Sequence, residues 1–408
     1  MGRVSKLLSY IKANGINNAV RVFMNIQRNK RFRKIDALPI DDKIVFECES
    51  DMDDNPRAIY EYIIAKGMNK EYKIVWLVKN VKFCRKTYKK KNVVFINRFD
   101  HSRKNQLKLR RHLSTAKWLL FSHPYWFKKI KPEQVVIHTG HGTPLKDRGK
   151  QDLFISHTWD KMLVTTEKMK PFYMQFWQCP EEKTFLCGNP RNDFLFRNRR
   201  KEIIPKLFVC SNDEKIVMCM PTYRKSAARN DCQTEDKFAL GVIHTEEEFL
   251  TFNEFLKEQK IHIIVKLHPL QVLDEQFLQS VSNIHYVLNK ELFEKQILLY
   301  ELLGCCDALL TDFSSVFFDY LQLNRPVAFF MNDFGNYDRG FLVEDPLVYM
   351  PGEKLYKGED LCDFLQSLSA GSDAYQQDRA CINEWVNYSK RPDNSKRFVH
   401  LTITGELN

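Results

Sequence analysis

Short apolar runs alternate with helical patterns along most of this chain. Runs at residues 43–48, 72–78, 92–96, 118–121, 134–138 and 161–164 have the length and turn-bounded character of buried strands. After the first of them, Asp54 or Asn55 is placed to cap a helix, with Pro56 suited to its first turn. A second series follows the charged stretch 197–206. It predicts strands over 215–220, 261–266, 284–287, 307–310 and 326–331, helices over 246–258, 291–303 and 315–323, and further helices from Gly358 onward. Strands separated by helices predict parallel sheets covered on both faces. The expected fold class is therefore α/β, with two Rossmann-like domains over 36–200 and 201–408 whose sheets face a central cleft.

Residues 1–35 follow another pattern. Val4, Leu7, Leu8, Ile11, Ile16, Val20, Val22, Phe23 and Ile26 recur at roughly helical spacing among lysines and arginines. This predicts a basic amphipathic segment that either lies on an anionic membrane surface or packs on the domain with a solvated basic face. No apolar window is long enough to cross a bilayer, and the N-terminus lacks a signal-peptide core, so a cytoplasmic location is expected. A length of 408 residues with 44% hydrophobic positions supports two cores.

The formal charge of +12 points to an anionic partner. Basic residues concentrate at 6–34, 82–91, 104–111 and 197–201, with no zinc-finger or RNA-recognition signature beside them, which argues against nucleic acid and leaves membrane and phosphate chemistry. The eleven cysteines are scattered without C-x-x-C spacing, so reduced thiols are expected and a zinc site is not. No cofactor is implied. Asp51 and Asp53 resemble a metal-binding acidic pair but are more simply the approach to a helix N-terminus.

In an open parallel sheet, ligands meet the loops leaving the carboxyl ends of strands. Five polar loops occupy such places. The first, 138–146 (HTGHGTPLK), surrounds His141 with glycines that let a ligand approach the backbone, and Thr143 and Lys146 suit phosphate. An imidazole near its own pKa makes His141 the preferred general base, whereas His138 at the strand end can simply be packed. The second, 188–193 (GNPRND), offers Arg191 for a bidentate phosphate pair, with Asn192 and Asp193 as turn or helix caps. The third, 220–224 (MPTYR), presents Thr222 and Arg224 to phosphate and Tyr223 beside a donor. In the fourth, 264–269 (IVKLHP), strand alternation places Lys266 and His268 on one side, suited to a diphosphate and its leaving group. The fifth, 309–319 (LLTDFSSVFFD), leads through Ser314 and Ser315 into a helix whose first amides form an anion site, with Asp319 one turn inside to accept from a donor hydroxyl. Capping by Asp312 or Ser314 is the plainer reading of single residues there.

Taken in order, HGTPLK, GNPRND, PTYR, KLHP and TDFSSVFFDY resemble the CDP-glycerol glycerophosphotransferase family of bacterial teichoic acid and capsule enzymes, and with the DNPRAIYEY run the likeness spans about 43–355. The resemblance implies a GT-B fold, a peripheral place on the inner face of the cell membrane, and transfer of glycerol phosphate from CDP-glycerol with release of CMP. The implied acceptor is a lipid-linked saccharide or a polyol-phosphate polymer. His141 resembles the family's catalytic base and His268 its second essential histidine. The implied donor contacts fall on Gly142, Thr143, Pro144, Leu145, Arg191, Thr222, Tyr223, Lys266, Leu267, Ser314, Ser315 and Asp319, beside the Lys146 and Arg224 read above. Gly140 departs from the tryptophan that the family commonly has before HGT. CDP-ribitol, or a nucleotide sugar on the same fold, is the alternative donor, and no metal is implied.

Overall fold

The computed structural model describes residues 28–123, 129–147, 159–221, 238–267, 281–332, 334, 340–388 and 391–405. The amphipathic segment expected over 1–35 lies outside them except at its end, where residues 28–36 are helical. Among the described residues no helix is long and apolar enough to cross a membrane. The chain divides into two compact units, Met1–Met52 with Ile63–His138 and Thr158–Asp160, and Asp53–Tyr62 with Thr139–His157 and Lys161–Asn408.

The first unit carries β1 (Asp41–Glu47), β2 (Lys73–Val78), β3 (Val93–Asn97), β4 (Ala116–Phe121) and β5 (Val135–His138), paired in parallel in the order β3-β2-β1-β4-β5. This is the doubly wound order, and it places the topological switch between β1 and β4. The strands read as continuous apolar runs because both faces are covered: Ile44, Phe46, Ile74 and Trp76 are buried, and the Phe46 and Trp76 rings stack 5.0 Å apart. Two helices that the apolar pattern does not separate from loop also occur here. Val81–Thr87 is capped by Asn80, which accepts from Phe83 N at 3.1 Å, and Arg103–Ser114 by Ser102, which accepts from Asn105 N at 3.3 Å. The basic run 104–111 lies on the latter helix, which buries Leu109 and Leu113. Its Arg110 forks onto Asp36, Nε to Oδ1 at 2.8 Å and Nη2 to Oδ2 at 2.7 Å.

In the second unit β6 (Lys161–Val164) and β7 (Thr184–Leu186) pair in parallel. Its main sheet comprises β8 (Lys215–Met220), β9 (Ile261–Lys266), β10 (Ile284–Val287), β11 (Ala308–Thr311), β12 (Val327–Phe330) and β13 (Glu353–Leu355), all parallel in the order β10-β9-β8-β11-β12-β13. The doubly wound order recurs, with its switch between β8 and β11. Every residue of β9 is buried, which is why its apolar run is so easily read. Helix Glu246–Glu258 opens on a capping box in which Thr245 and Glu248 satisfy each other's backbone amides.

One expected element differs, and one strand was not expected. The single helix expected over 291–303 is two, Asn289–Glu294 and Leu299–Gly304, because Gln296 between them adopts φ 55°, a left-handed conformation that ends a helix. The three-residue β13 carries two charged residues and gives no apolar signal. The C-terminal helices are Gly358–Ala370, Gln376–Val386 and Asn394–Val399, and the cysteines among the described residues are free.

Candidate functional site

The loop after β5 turns through two left-handed glycines, Gly140 at φ 76° and Gly142 at φ 116°. A Cβ added to Gly142 would stand 2.8 Å from Ser315 Oγ and 3.0 Å from Arg191 Nη2, so the loop backbone is pressed against both residues and only glycine fits. Three of the five motif loops therefore meet at one point. Gly140 is required by its own backbone, which a side chain such as tryptophan adopts only with strain. Buried Asn55 staples this region: Nδ2 donates to Thr139 O at 2.8 Å and Gly140 O at 3.2 Å, and Oδ1 accepts from Arg191 N at 2.9 Å.

An ionic chain runs through the same residues. Asp54 Oδ2 lies 2.6 Å from His141 Nδ1, and Asp54 Oδ1 accepts from Arg191 Nη1 at 2.8 Å. Arg191 Nη2 donates to Asp319 Oδ2 at 2.8 Å, Tyr300 OH donates to the same oxygen at 2.6 Å, and Asn189 Nδ2 donates to Asp319 Oδ1 at 3.0 Å. The guanidinium also stands over the Tyr300 ring, 4.6 Å from its centroid. Exposure falls steeply along the chain, from 53% for the His141 side chain to 8% for Asp54, 7% for Arg191 and none for Asp319. Burial opposes the charge on Arg191, but Tyr300, Asp319 and Asp54 outweigh it and hold the guanidinium firmly protonated. Arg191 and Asp319, both expected at a donor, are thus joined to each other. Asp54 itself takes φ 60°, a left-handed conformation that aspartate tolerates better than most residues.

Around this chain, buried Thr143 accepts from Tyr173 OH at 3.4 Å, and burial pushes that phenol up to about 12. Pro144 and Leu145 are buried, Leu145 O accepts from Leu342 N at 2.9 Å, and Lys146 bridges Phe341. Ser314 N donates to Asp312 Oδ1 at 3.0 Å, a local turn and not the helix cap that the plainer reading expected, and Ser315, at the N-cap of the five-residue helix Val316–Tyr320, makes no side-chain cap bond. Lys266 at the end of β9 is buried and donates to Leu267 O at 2.7 Å. Burial lowers its pKa to about 8, with Asp53 acting in the opposite sense. Thr222, Tyr223, Arg224 and His268 lie outside the described residues.

His138, Asp51 and Asp193 have structural partners. His138 is buried with Phe121 and Trp159 each 5.0 Å from its ring. Asp51 accepts from Lys79 N and Asn80 N, each at 2.7 Å. Asp193 caps helix Asn394–Val399 by accepting from Asn394 N at 3.0 Å and Ser395 N at 2.8 Å. The Asn394 side chain occupies the space beside Gly188, where an added Cβ would come within 2.0 Å of its Oδ1. Cys210, Glu214 and His262 offer ligand atoms within 4.8 Å of one another at the amino ends of β8 and β9, the end opposite Lys266. The sequence reading missed Asp54 and Asn55 as site residues, taking them for helix caps, and missed Asn189 and Tyr300. The polar Asp54-Asn55 pair just after a strand exit was the available signal; Tyr300, inside an apolar helical run, gave none.

A family model described as CDP-glycerol:poly(glycerophosphate) glycerophosphotransferase matches residues 31–403. The chain is 27% identical over 404 residues to the teichoic acid poly(glycerol phosphate) polymerase of Bacillus spizizenii, covering 90% of this chain and 94% of that one. It is 26% identical over 396 residues to the teichoic acid glycerol-phosphate transferase of Staphylococcus aureus, covering 89% and 93%. Among solved structures, a histidine-to-asparagine variant of the wall teichoic acid polymerase TagF soaked with CDPG superposes with a TM-score of 0.73 at 22% identity, over 97% of this chain and 99% of that chain. At that identity the likeness speaks for the fold: α/β with two parallel sheets.

Proposed function

The chain belongs to the CDP-glycerol:poly(glycerophosphate) glycerophosphotransferase family, and from that premise we propose that it transfers glycerol phosphate from CDP-glycerol to a hydroxyl of a lipid-linked saccharide or polyol-phosphate polymer in teichoic acid synthesis, releasing CMP. The observation that supports this reading best is the meeting of three motif loops, with Ser315 and Arg191 against Gly142 and the neighbouring His141 held by Asp54.

His141 takes the proton of the acceptor hydroxyl at Nε2 while Asp54, on Nδ1, fixes the tautomer and steadies the imidazolium that forms. The freed oxygen bonds to the phosphorus that carries glycerol. The bond from that phosphorus to the bridging oxygen breaks, and CMP departs with the electron pair. One in-line displacement inverts the phosphorus. Arg191, engaged by Asp54 and Asp319, is a positioning residue that sets the carboxylate behind His141. Lys266, His268 and the Ser314-Ser315 turn stabilise the spreading charge, the main contribution in phosphoryl transfer. Thr222, Tyr223 and Arg224, with Gly142 to Lys146 and Leu267, complete the donor surface. The same proposal reads the two parallel sheets as the halves of a GT-B enzyme and residues 1–35 as the segment that rests on the inner membrane face, a capsule polymer being a further acceptor class.

Purified protein incubated with CDP-glycerol, CDP-ribitol or nucleotide sugars and a panel of acceptors tests the proposal. CMP release and acceptor-bound glycerol phosphate are expected with CDP-glycerol. Turnover confined to a nucleotide sugar, with a nucleoside diphosphate as product, would overturn it.

A further inference from the structure

The first unit contains a cavity of about 460 Å³, within the roughly 300–1,000 Å³ typical of small-molecule sites. Glu47 and Glu49 line it at the exit of β1, Arg98, Phe99 and His101 after β3, and His123 after β4. It thus opens at the carboxyl ends of β1 and β4, the switch point of the doubly wound order, where sheets of this topology bind ligands.

The wall decides what fits. Glu47, on the buried end of β1, is ion-paired with Arg98 Nη1, and Glu49 Oε2 lies 2.8 Å from His123 Nε2. Each carboxylate is thus engaged, Glu47 by Arg98 and Glu49 by His123, so the wall presents paired charges and no cationic cradle, which favours a neutral polar ligand over phosphate. Hydroxyl groups suit the same wall, because carboxylates accept from them and the guanidinium donates to them. Phe99 adds an apolar surface and is 51% exposed, with Arg98 4.6 Å from its ring centroid and Lys79 5.6 Å. The negative face of a phenyl ring suits the C–H face of a sugar. We propose that this cavity binds a neutral hexose-type ring; given the transfer reaction proposed above, on which only this last step rests, that ring is the saccharide of the acceptor, not its phosphate.

The test is saturation-transfer NMR on the full chain with methyl hexosides and their 2-acetamido forms, and sn-glycerol 3-phosphate as competitor. Transfer to ring C–H protons is expected for at least one glycoside. It should vanish in Phe99→Ala and weaken about tenfold in affinity in Glu49→Gln, with glycerol 3-phosphate failing to compete. Both side chains are largely solvent-exposed, and a thermal melt verifies that the variants fold. No transfer to any glycoside, signals that survive in both variants, or displacement by glycerol 3-phosphate would overturn the proposal. CMP release from CDP-glycerol by the unmodified chain is read separately. Glycoside binding without CMP release sinks the transfer reaction and leaves the cavity assignment standing; CMP release without glycoside binding does the reverse.

Discussion

Replacing Asp54 by asparagine inverts the chemistry of one hydrogen bond and leaves side-chain volume almost unchanged. The aspartate presents Oδ2 to His141 Nδ1 at 2.6 Å and Oδ1 to Arg191 Nη1 and Asn55 N, each at 2.8 Å. An asparagine carbonyl can keep the Oδ1 contacts, which puts its amide N–H against Nδ1. The imidazole must then carry its proton on Nε2, the nitrogen that should receive the acceptor's proton, and general-base catalysis is lost. That contribution is typically about 10²–10⁴-fold in rate, or roughly 3–5 kcal/mol of barrier. The measurement is CMP release at saturating CDP-glycerol and acceptor, with a thermal melt as the fold check. Expected is a fall in kcat of that size, with acceptor KM changed far less. A folded Asp54→Asn protein that keeps kcat within about threefold, where about a hundredfold loss is the least expected, would refute the assignment of His141 as base through this dyad.

Three other outcomes are expected. Because burial lowers the Lys266 ammonium to about 8, its charge is present below that pH and lost above it, so donor KM should rise as pH climbs through about 8, and Lys266→Gln should flatten that limb in initial-rate profiles. Gly142→Ala should destabilise the protein by about 1–3 kcal/mol, as expected for an L-residue held in a disfavoured backbone conformation, and should abolish CMP release by displacing Ser315 or Arg191; denaturant unfolding and turnover read the two effects. Asp193→Ala should lower stability by about 0.5–2 kcal/mol through loss of the helix cap, seen as a lower midpoint in urea.

The sheets were legible because nearly every strand is buried on both faces and reads as an apolar run, β9 most plainly. β13 escaped because it is short and charged, and the break at Gln296 because a single left-handed residue has no hydrophobic signature. In the site, the five loops stood out because polar residues that follow apolar strands are conspicuous. Their wiring did not. Asp54 meets His141 and Arg191 across 87 and 137 positions of sequence, and no local pattern states such a pairing. Arg191 and Asp319 were read as separate donor contacts for the same reason, since only the fold shows one carboxylate and one guanidinium meeting in a buried pocket.

The clamp that helix Asn394–Val399 places on the Gly188–Asp193 loop ties the loop that carries Arg191 to a segment 201 positions further along the chain. Asp193 is held by the amides of residues 394 and 395, and Asn394 fills the gap beside Gly188. Loss of that helix would take both braces from the loop and leave Arg191 to its own contacts with Asp54, Asn55 and Asp319.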